Sequence, residues 1–300
     1  MNNKKIYQEL LSLLSQQITF LDDKPEETAQ STLNALWSYS AGFPVSATKA
    51  IEIKLPKLSK EQIELLQELI QLRISSTPLA YITRRQSFMN IEMLVDKRAL
   101  IPRKETEILG EVALRLTKEI STQKKPAIVM DVCCGAGNIG LALATYNPYC
   151  KVYSTDISKE ATDLAIENIL FFGLQNRIKV KYGNLFSAFE NKHYYNKADI
   201  IVCNPPYIQS SRVDKMAEEI ANNEPSMAFD GGMLGISIIQ QLLKEAPKFM
   251  AKKAKLAIEI GAGQGGFILK LFEKSTSFKT IESICDNRGT QRVIVAQLGQ

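Results

Sequence analysis

The stretch Ala127-Ile-Val-Met-Asp-Val-Cys-Cys-Gly-Ala-Gly-Asn-Ile-Gly140 gives the clearest indication of the fold. Its first part, Ala127–Val132, is an apolar run with a single acid, which is typical of a strand covered on both faces. Gly135 and Gly137 then permit a tight turn and a close approach of the backbone to a ligand. The apolar pattern of Ile139–Ala144 predicts a helix. Strand, glycine turn and helix in this order indicate the first unit of a parallel α/β sheet.

The same alternation continues to the end of the chain. Six further strands are predicted, at Val152–Thr155, Ile178–Tyr182, Ala198–Cys203, Leu256–Ile260, Thr280–Ile284 and Val293–Gln297. The helices between them are predicted at Ala161–Phe172, Ile236–Met250 and Phe267–Phe272. Only the connection at Asp286–Gly289 is as short as a hairpin, so only the last strand should run antiparallel. We therefore expect a seven-stranded, doubly wound, Rossmann-like α/β fold.

The N-terminal part has a helical period instead. Ile6–Ile18 has one apolar face, Pro25 with Glu26-Glu27 is expected to open a second helix, and Ser59 with Gln62 fits the capping box of a third. The pattern becomes short and extended after residue 76. We expect a small helical domain at residues 1–76, a linking β-hairpin at 77–100 and the α/β domain at 101–300.

Composition places the chain among ordinary globular proteins. It has 300 residues, 33.5 kDa, 45% hydrophobic residues and a net charge of +5, which excludes disorder as its main state. No apolar run reaches the ~18–20 residues of a membrane helix, and the first residues do not resemble a signal peptide. We expect a cytoplasmic protein without a membrane partner.

The histidine and cysteine content excludes several kinds of chemistry. His193 is the only histidine and stands in a polar stretch, and the five cysteines show no Cys-x-x-Cys pair. A zinc site, a disulfide framework and a serine or cysteine hydrolase are therefore not expected. We interpret Cys133 and Cys134 as small packing residues.

An acid after the second strand indicates a cofactor that carries a ribose. Asp156 follows Gly137 by 19 residues, and a carboxylate at that place can accept hydrogen bonds from both ribose hydroxyls. NAD and S-adenosylmethionine both fit this much. Asp131 favours S-adenosylmethionine, because an acid at the loop would attract its sulfonium or amino group and would repel the pyrophosphate of NAD.

A second glycine-rich stretch competes for the same role. Glu259-Ile-Gly-Ala-Gly-Gln-Gly-Gly266 is followed 20 residues later by Asp286, as in the cofactor loop of a permuted methyltransferase. We prefer the first loop, because it precedes the tetrapeptide described next in the usual order and the second lies where strand five and its helix are expected.

The tetrapeptide Asn204-Pro205-Pro206-Tyr207 directly follows the fourth strand. The prolines fix the backbone and have no N–H, so their carbonyls can point outward beside the Asn204 side-chain oxygen. A planar –NH2 group would donate to Asn204 Oδ1 and to the Pro205 carbonyl, while Tyr207 packs on its flat face. This arrangement suits methylation of a nitrogen attached to an sp² carbon. Glutamine, adenine and cytosine all remain possible targets.

With these residues in place, the chain resembles the HemK/PrmC-type glutamine methyltransferases of peptide chain release factors over nearly its full length. The resemblance is carried by Pro78–Ile82, Leu100–Arg103, Glu105–Glu107, Asp131–Gly140, Asp156, Asn204–Tyr207, Glu224-Pro225, Gly231-Gly232, Gly235 and Arg288–Val293. Arg84, Lys104 and Asn184 depart from the family pattern.

The resemblance implies a class I methyltransferase fold, S-adenosyl-L-methionine as cofactor with S-adenosyl-L-homocysteine as product, and a helical domain that docks a release factor. The expected substrate is the glutamine of its Gly-Gly-Gln motif. We expect a monomer that needs no metal and meets nucleic acid only indirectly. The expected catalytic residues are Asn204, Pro205 and Tyr207, and the expected substrate-binding residues are Asn204, Pro205, Pro206, Tyr207 and Arg103. The expected cofactor-binding residues are Asp131, Cys133, Cys134, Gly135, Ala136, Gly137, Asp156, Asn184, Leu185 and Asn204.

Three alternatives stay open. A sister family methylates a glutamine of a ribosomal protein, although Glu105–Glu107 looks more like the release-factor branch. Nucleic-acid amino methyltransferases share the tetrapeptide, and residues 1–95 are neutral with ten basic and ten acidic side chains, so residues 96–300 carry the whole net charge of +5. A non-catalytic binding module is the third.

Overall fold

The structure is a computed structural model that describes residues 3–207, 218–221, 223–229 and 236–299; the side chains of residues 218, 221, 280 and 281 are not described. Gly231, Gly232 and Gly235, which contribute to the resemblance, lie outside these ranges. The chain divides into two compact units. The first comprises residues 1–104 and 216–224, and the second comprises residues 105–215 and 225–300.

The first unit is helical with one small sheet. Its elements are α1 (Asn3–Gln17), α2 (Ala29–Ser40), α3 (Ala47–Ala50), α4 (Lys60–Ile74), α5 (Leu79–Thr83), β1 (Arg85–Phe88), β2 (Ile91–Leu94) and a short helix at Glu218–Ala221. Strands β1 and β2 form the expected antiparallel hairpin. Leucines and isoleucines from α1, α2 and α4 form the core of this unit, among them Leu14, Leu33, Leu36, Leu66 and Ile70.

The helix starts show what local sequence can predict. The capping box of α4 is confirmed, with Ser59 accepting from the Gln62 N–H and the Gln62 side chain accepting from the Ser59 N–H. The expected start of α2 at Pro25 is wrong. Thr28 caps that helix instead and forms a capping box with Ser31, while the Glu27 N–H closes a turn on the Lys24 carbonyl.

A cluster of four charged side chains is buried in the first unit. Lys24 Nζ lies 2.6 Å from Glu219 Oε1, and Arg73 binds Glu219 Oε2 at 2.7 Å and Glu27 Oε2 at 2.9 Å. Two cations therefore face two anions, which is the condition under which buried charge is tolerated. Through Glu219, the cluster fixes the short helix Glu218–Ala221 to the helices of this unit.

Arg84 occupies a backbone conformation that favours glycine. It ends α5 in the left-handed region, with φ at +57°. A side chain there costs about 1–2 kcal/mol relative to glycine. The hairpin forms despite this departure from the family pattern, so Arg84 affects stability more than geometry.

The second unit contains the seven-stranded sheet, and the fold prediction is confirmed. Its elements are α6 (Thr106–Ile120), β3 (Ala127–Val132), α7 (Asn138–Tyr146), β4 (Cys150–Asp156), α8 (Lys159–Phe171), β5 (Ile178–Tyr182), β6 (Ala198–Cys203), α9 (Ser237–Glu245), β7 (Met250–Glu259), α10 (Gly265–Lys274), β8 (Phe278–Cys285) and β9 (Gln291–Leu298). The strand order is β5-β4-β3-β6-β7-β9-β8, and only β9 runs antiparallel to its neighbours. Helix α9 ends earlier than predicted, because Pro247 lies in a 3₁₀ turn and β7 already begins at Met250.

The order of the strands places the chain reversal at the centre of the sheet. From β3 the chain moves to β4 and β5 on one side and then crosses to β6 on the other. In open α/β sheets, ligands bind beyond the carboxyl ends of the strands at such a switch point. The register aligns Val132 with Cys203, so the glycine loop and the tetrapeptide leave the sheet side by side.

Candidate active site

Five neighbouring strands end along one edge of the second unit, and each contributes residues. In spatial order these are the turn after β5 with Asn184, the end of β4 with Asp156, the glycine loop after β3, the tetrapeptide after β6 and Glu259 at the end of β7. Strands in a sheet lie about 4.8 Å apart, so the first four positions extend over about 14 Å. The sequence predicted the first four of these sites, but neither Glu259 as a site residue nor the spatial order of the row.

The glycine loop after β3 turns back sharply over the end of the strand. Cys133, Gly135 and Gly137 all have positive φ values, of +59°, +54° and +83°. A Cβ at Gly135 would meet no atom within 4 Å, whereas one at Gly137 would lie 3.2 Å from the Cβ of Ala165 on α8. Gly135 therefore leaves free space above the loop for a ligand, and Gly137 allows the loop to pack closely on the next helix.

Asp131 lies beneath this loop and is completely buried. Its Oδ2 accepts from the Gly140 N–H at 3.2 Å and so holds the first turn of α7, while Oδ1 has no hydrogen-bond partner among the described residues. Burial raises the pKa of Asp131 to about 7, although the Gly140 N–H lowers it. Asp131 thus holds the end of the glycine loop through the Gly140 N–H and places a titratable carboxyl next to the loop.

Asp156 ties the loop to the next strand end. Its Oδ2 accepts from the Gly135 N–H at 2.8 Å and its Oδ1 from the Ser158 N–H at 2.9 Å. Burial nevertheless raises the pKa of the carboxyl, against the effect of these backbone donors. Each carboxylate oxygen has a second lone pair, so Asp156 can accept further hydrogen bonds from a ligand.

The turn after β5 is anchored beside Asp156. The Gly183 N–H donates to the Asp156 carbonyl, and the Thr155 hydroxyl donates to the Leu185 carbonyl at 2.6 Å. Leu185 is buried, with φ at +46°, while Asn184 is exposed. The Asn184 side chain is therefore accessible to a ligand at this end of the row.

The cysteines near the loop have the properties of packing residues. Cys134 and Cys203 are buried, and burial raises the pKa of both thiols well above the usual value. Cys133 is half-buried against the core of the sheet. Ala136, between the two glycines, is buried as well. Thiols with raised pKa values are poor nucleophiles, which agrees with the packing interpretation.

Asn204 is oriented by a side chain from α6. Its Nδ2 donates to Thr106 Oγ1 at 3.1 Å. This bond uses the amide nitrogen, and no described residue donates to the amide oxygen Oδ1. Pro205 is buried and Pro206 half-buried, and neither has an N–H. The half-buried Asn204 thus keeps a hydrogen-bond acceptor at the carboxyl end of β6, beside the glycine loop.

Tyr207 is held by the second glycine loop. Its hydroxyl donates to Glu259 Oε1 at 3.2 Å, and its backbone carbonyl accepts from Gln264 Nε2 at 2.8 Å. A Cβ at Gly261 would lie 2.9 Å from Tyr207 Cδ2, so the absence of a side chain there makes room for the ring. Burial and the nearby Glu259 raise the pKa of Tyr207 well above its ordinary value.

The alternative role of the second loop as the cofactor loop receives no support from its contacts. A Cβ at Gly265 would lie 1.8 Å from Gln291 Oε1, so protein atoms already occupy that position. Asp286 turns the β8–β9 hairpin, accepting from the Thr290 N–H and pairing with Arg292 at 2.9 Å. Gly261 and Gly265 therefore serve packing within the protein, whereas a Cβ at Gly263 or Gly266 would meet no atom within 4 Å.

Arg103 lies in the first unit in a buried ion pair. Its Nη2 donates to Glu224 Oε1 at 2.6 Å, and its Nε lies 3.3 Å from Asp23 Oδ2. Glu224 Oε2 also accepts from the Ile101 N–H. These contacts connect the Ile101–Arg103 segment to Glu224, which gives the arginine a structural function. A substrate contact of Arg103 stays a prediction.

Three residues of this edge escaped the sequence analysis as site residues, namely Thr106, Glu259 and Gln264. Thr106 lies within the Glu105–Glu107 stretch that carried the resemblance, so the sequence contained a signal for it. The other two belong to the second glycine loop, whose pattern suggested a different role. Only the contacts with Asn204 and Tyr207 reveal what they do.

Other expected features concern the surface and possible ions. His193 is exposed in the stretch between the 3₁₀ turn Ser187–Phe189 and β6. Within the described ranges, no three His, Cys, Asp or Glu side chains are grouped so that they could hold a metal ion. Among the same residues, no helix has the length and apolar character required to cross a membrane.

Comparison with known proteins identifies the class. The methyltransferase small domain family matches residues 113–270, which is more than half of the chain. The hMettl16 catalytic domain in complex with MAT2A 3′UTR hairpin 1 has a similar fold, with a TM-score of 0.56 and 14% identity over 76% of this chain and 80% of that one. The protein is a methyltransferase of the class I fold and belongs to this domain family.

Full-length relatives define the family more narrowly. The release factor glutamine methyltransferase of Thermodesulfovibrio yellowstonii is 33% identical over 242 residues, 81% of this chain and 84% of the relative. The protein of the same name from Geobacter sulfurreducens is 30% identical over 281 residues, 93% of both chains. The chain belongs to the release factor glutamine methyltransferase family, and the resemblance predicted from its motifs is confirmed.

Proposed function

We propose that the protein transfers the methyl group of S-adenosyl-L-methionine to the side-chain amide nitrogen of the glutamine in the Gly-Gly-Gln motif of peptide chain release factors. One observation carries the proposal for this chain. Thr106 takes the amide nitrogen of Asn204 and leaves its oxygen as an acceptor beside the glycine loop. The names of the relatives support the choice of glutamine over a nucleobase.

The residues of the row fit the cofactor. The space above Gly135 suits a ligand lying close to the backbone, and Asp156 has lone pairs left for two ribose hydroxyls. The exposed Ile157 and Asn184 are suited to the adenine, with Ile157 against the ring and Asn184 at its polar edge. Asp131, being buried beneath the loop, would act through its charge on the sulfonium and amino groups rather than by contact.

The tetrapeptide would hold the substrate amide. The two hydrogens of the glutamine –NH2 would be donated to Asn204 Oδ1 and the Pro205 carbonyl, with Tyr207 against the flat face of the amide. Bound S-adenosyl-L-methionine supplies an electrophilic methyl group and a neutral thioether leaving group. Fixing the nitrogen in line with that methyl uses the advantage of positioning, which is worth up to ~7–11 kcal/mol in favourable cases. The nitrogen loses a proton after the transfer.

The test is a transfer assay with cofactor labelled in its methyl group. Purified release factor should become labelled, and a release factor whose Gly-Gly-Gln glutamine is replaced by alanine should not. The same assay tests the alternative substrates. It is repeated with a large-subunit ribosomal protein, and with total RNA and DNA before and after nuclease treatment. We propose that the protein acts as a monomer without added metal. Activity should therefore persist in EDTA, and the active protein should elute from a size-exclusion column at the mass of the monomer.

The outcomes separate the possibilities. Label on the release factor that depends on the glutamine supports the proposal. Label only on nucleic acid, or only on the ribosomal protein, overturns the substrate assignment. Calorimetry with S-adenosyl-L-methionine that gives no heat and no thermal protection would indicate a binding module that has lost the cofactor site.

A further inference from the structure

We infer that the second glycine loop positions the catalytic tetrapeptide, with Glu259 and Gln264 as positioning residues for methyl transfer. The inference rests on the proposed function and deepens it. Within the described ranges, neither residue makes a hydrogen bond with Asn184, Asp156 or the first glycine loop. Both contact Tyr207, the last residue of the tetrapeptide.

Tyr207 is fixed at three points by this loop. Glu259 accepts from the hydroxyl, Gln264 donates to the backbone carbonyl, and Gly261 leaves room for the ring. Gln264 is fixed in turn, because its Oε1 accepts from the Gly261 N–H at 2.9 Å. One side chain therefore connects the turn of the loop to the backbone of the tetrapeptide.

The same loop reaches the first residue of the tetrapeptide through α6. Thr106 Oγ1 accepts from Asn204 Nδ2, and the Thr106 hydroxyl lowers the pKa of the nearby Glu259 carboxyl, whose Oε2 has no hydrogen-bond partner among the described residues. Glu259 is thus a shared neighbour of the groups that orient Asn204 and Tyr207. Because Thr106 Oγ1 accepts from Asn204, the amide nitrogen stays on Thr106 and the amide oxygen faces the substrate.

The ionisation of Glu259 gives this arrangement a pH dependence. The carboxyl is buried, which raises its pKa to about 7; Glu105 nearby raises it too, whereas the Thr106 and Tyr207 hydroxyls and Arg292 lower it. The ionised form accepts from the Tyr207 hydroxyl, while the protonated form carries a hydrogen of its own that competes with this bond. Turnover should therefore increase as the pH rises through about 7.

The experiment compares three variants with a matched control. Glu259→Gln keeps the size and removes the charge, Gln264→Leu removes both hydrogen bonds of that side chain, and Thr106→Val removes the acceptor for Asn204. Each should reduce kcat about 10- to 100-fold, since misplacement by about 1 Å can cost about 10²-fold. Affinity for S-adenosyl-L-methionine should stay within about twofold. Glu273→Gln, exposed on α10, should leave both unchanged.

The pH profile adds a readout that a purely structural role would not change. The wild-type kcat should show a step near pH 7, Glu259→Gln should lose it, and Glu259→Asp should recover part of it. Wild-type kcat in Glu259→Gln and Gln264→Leu, or an unchanged step in Glu259→Gln, would overturn the inference. A fall in cofactor affinity equal to the fall in kcat would also contradict it.

Hydrogen exchange separates this inference from the proposed function. Gln264→Leu should accelerate exchange in the peptide that ends at Tyr207, in the protein without any substrate. If the wild type methylates no release factor and the exchange still responds, the proposed function fails and the positioning stands. If the wild type is active and neither exchange nor kcat responds, the positioning fails alone.

Discussion

The two glycine loops of the second unit look alike in sequence, but different groups lie against their glycines. In the loop after β3, the missing side chain of Gly135 leaves open space, while the N–H of the same residue donates to Asp156. In the loop after β7, the missing side chains of Gly261 and Gly265 make room for Tyr207 and Gln291. The first loop keeps room for a ligand beside Asp156, and the second uses Gly261 and Gly265 to make room for side chains of the protein, although its Gly263 and Gly266 have no atom within 4 Å of a Cβ.

This difference shows what a glycine pattern can and cannot indicate. A glycine allows a close approach, but the approaching group can be a cofactor or a side chain of the same chain. The contacts agree with our proposal that the first loop binds the cofactor, while the second loop holds the tetrapeptide. Substitutions in the first loop should therefore change cofactor affinity, and substitutions in the second should change kcat.

Replacing the residue between the loops should have the largest effect. Asn204→Ala should reduce turnover by roughly 10²–10³, as for the loss of one preorganised polar contact at a reacting group. Cofactor affinity should fall much less than turnover, although Asn204 is also an expected cofactor-binding residue. Single-turnover rates at saturating cofactor measure the first quantity and calorimetry the second. Asn191→Ala, in an exposed stretch, is the control, and a near-normal rate for Asn204→Ala would refute the role of this side chain.

The second-largest expected effect is on cofactor affinity alone and comes from replacing Asp156. Asp156→Ala should weaken binding of S-adenosyl-L-methionine by roughly 10- to 100-fold, because a hydrogen bond to a charged group contributes about 1.5–3 kcal/mol and the Gly135 N–H also loses its acceptor. Titration calorimetry measures it. Asp163→Ala, which breaks an exposed pair with Lys159, should bind normally. Normal binding by Asp156→Ala would remove the ribose assignment.

A pair of glycine variants tests the comparison directly. Gly135→Ala adds a side chain at a φ of +54° and fills the free space, so cofactor affinity should fall roughly tenfold, with a strain of about 1–2 kcal/mol. Gly261→Ala would place a Cβ 2.9 Å from Tyr207 Cδ2, so kcat should fall about tenfold at normal affinity. If both variants lose the same quantity, the division of labour between the loops is wrong.

The smallest effect is on stability. A carboxyl whose pKa rises on folding, as that of Asp131 does from 3.8 to about 7, destabilises the folded state increasingly between about pH 4 and 7 and fully above. Asp131→Asn should therefore raise the free energy of unfolding at pH 8 by roughly 1–3 kcal/mol, with little difference below pH 4. Denaturant unfolding at both pH values measures this, with the exposed Asp163→Asn as control. A loss of stability at pH 8 would contradict the assignment.

Sequence reasoning located several elements to the residue. The strands at Ala127–Val132, Ile178–Tyr182 and Ala198–Cys203 have the predicted bounds, and so does the capping box at Ser59. These features follow from neighbouring residues in the chain, such as apolar runs and cap side chains. The start of α2 was wrong because two possible openings lie within four residues, and the Thr28 cap prevailed over Pro25.

The sequence by itself determined the order of strands and helices, the glycine turn, the acid after β4 and the tetrapeptide, because each depends on residues close together in the chain. Only the tertiary structure decided which glycines have other parts of the protein against them, that Thr106 orients Asn204 across 98 residues of sequence, and that Glu259 accepts from Tyr207. The reason is physical: the use of a glycine or a buried carboxyl depends on what packs against it, and distant segments supply those neighbours.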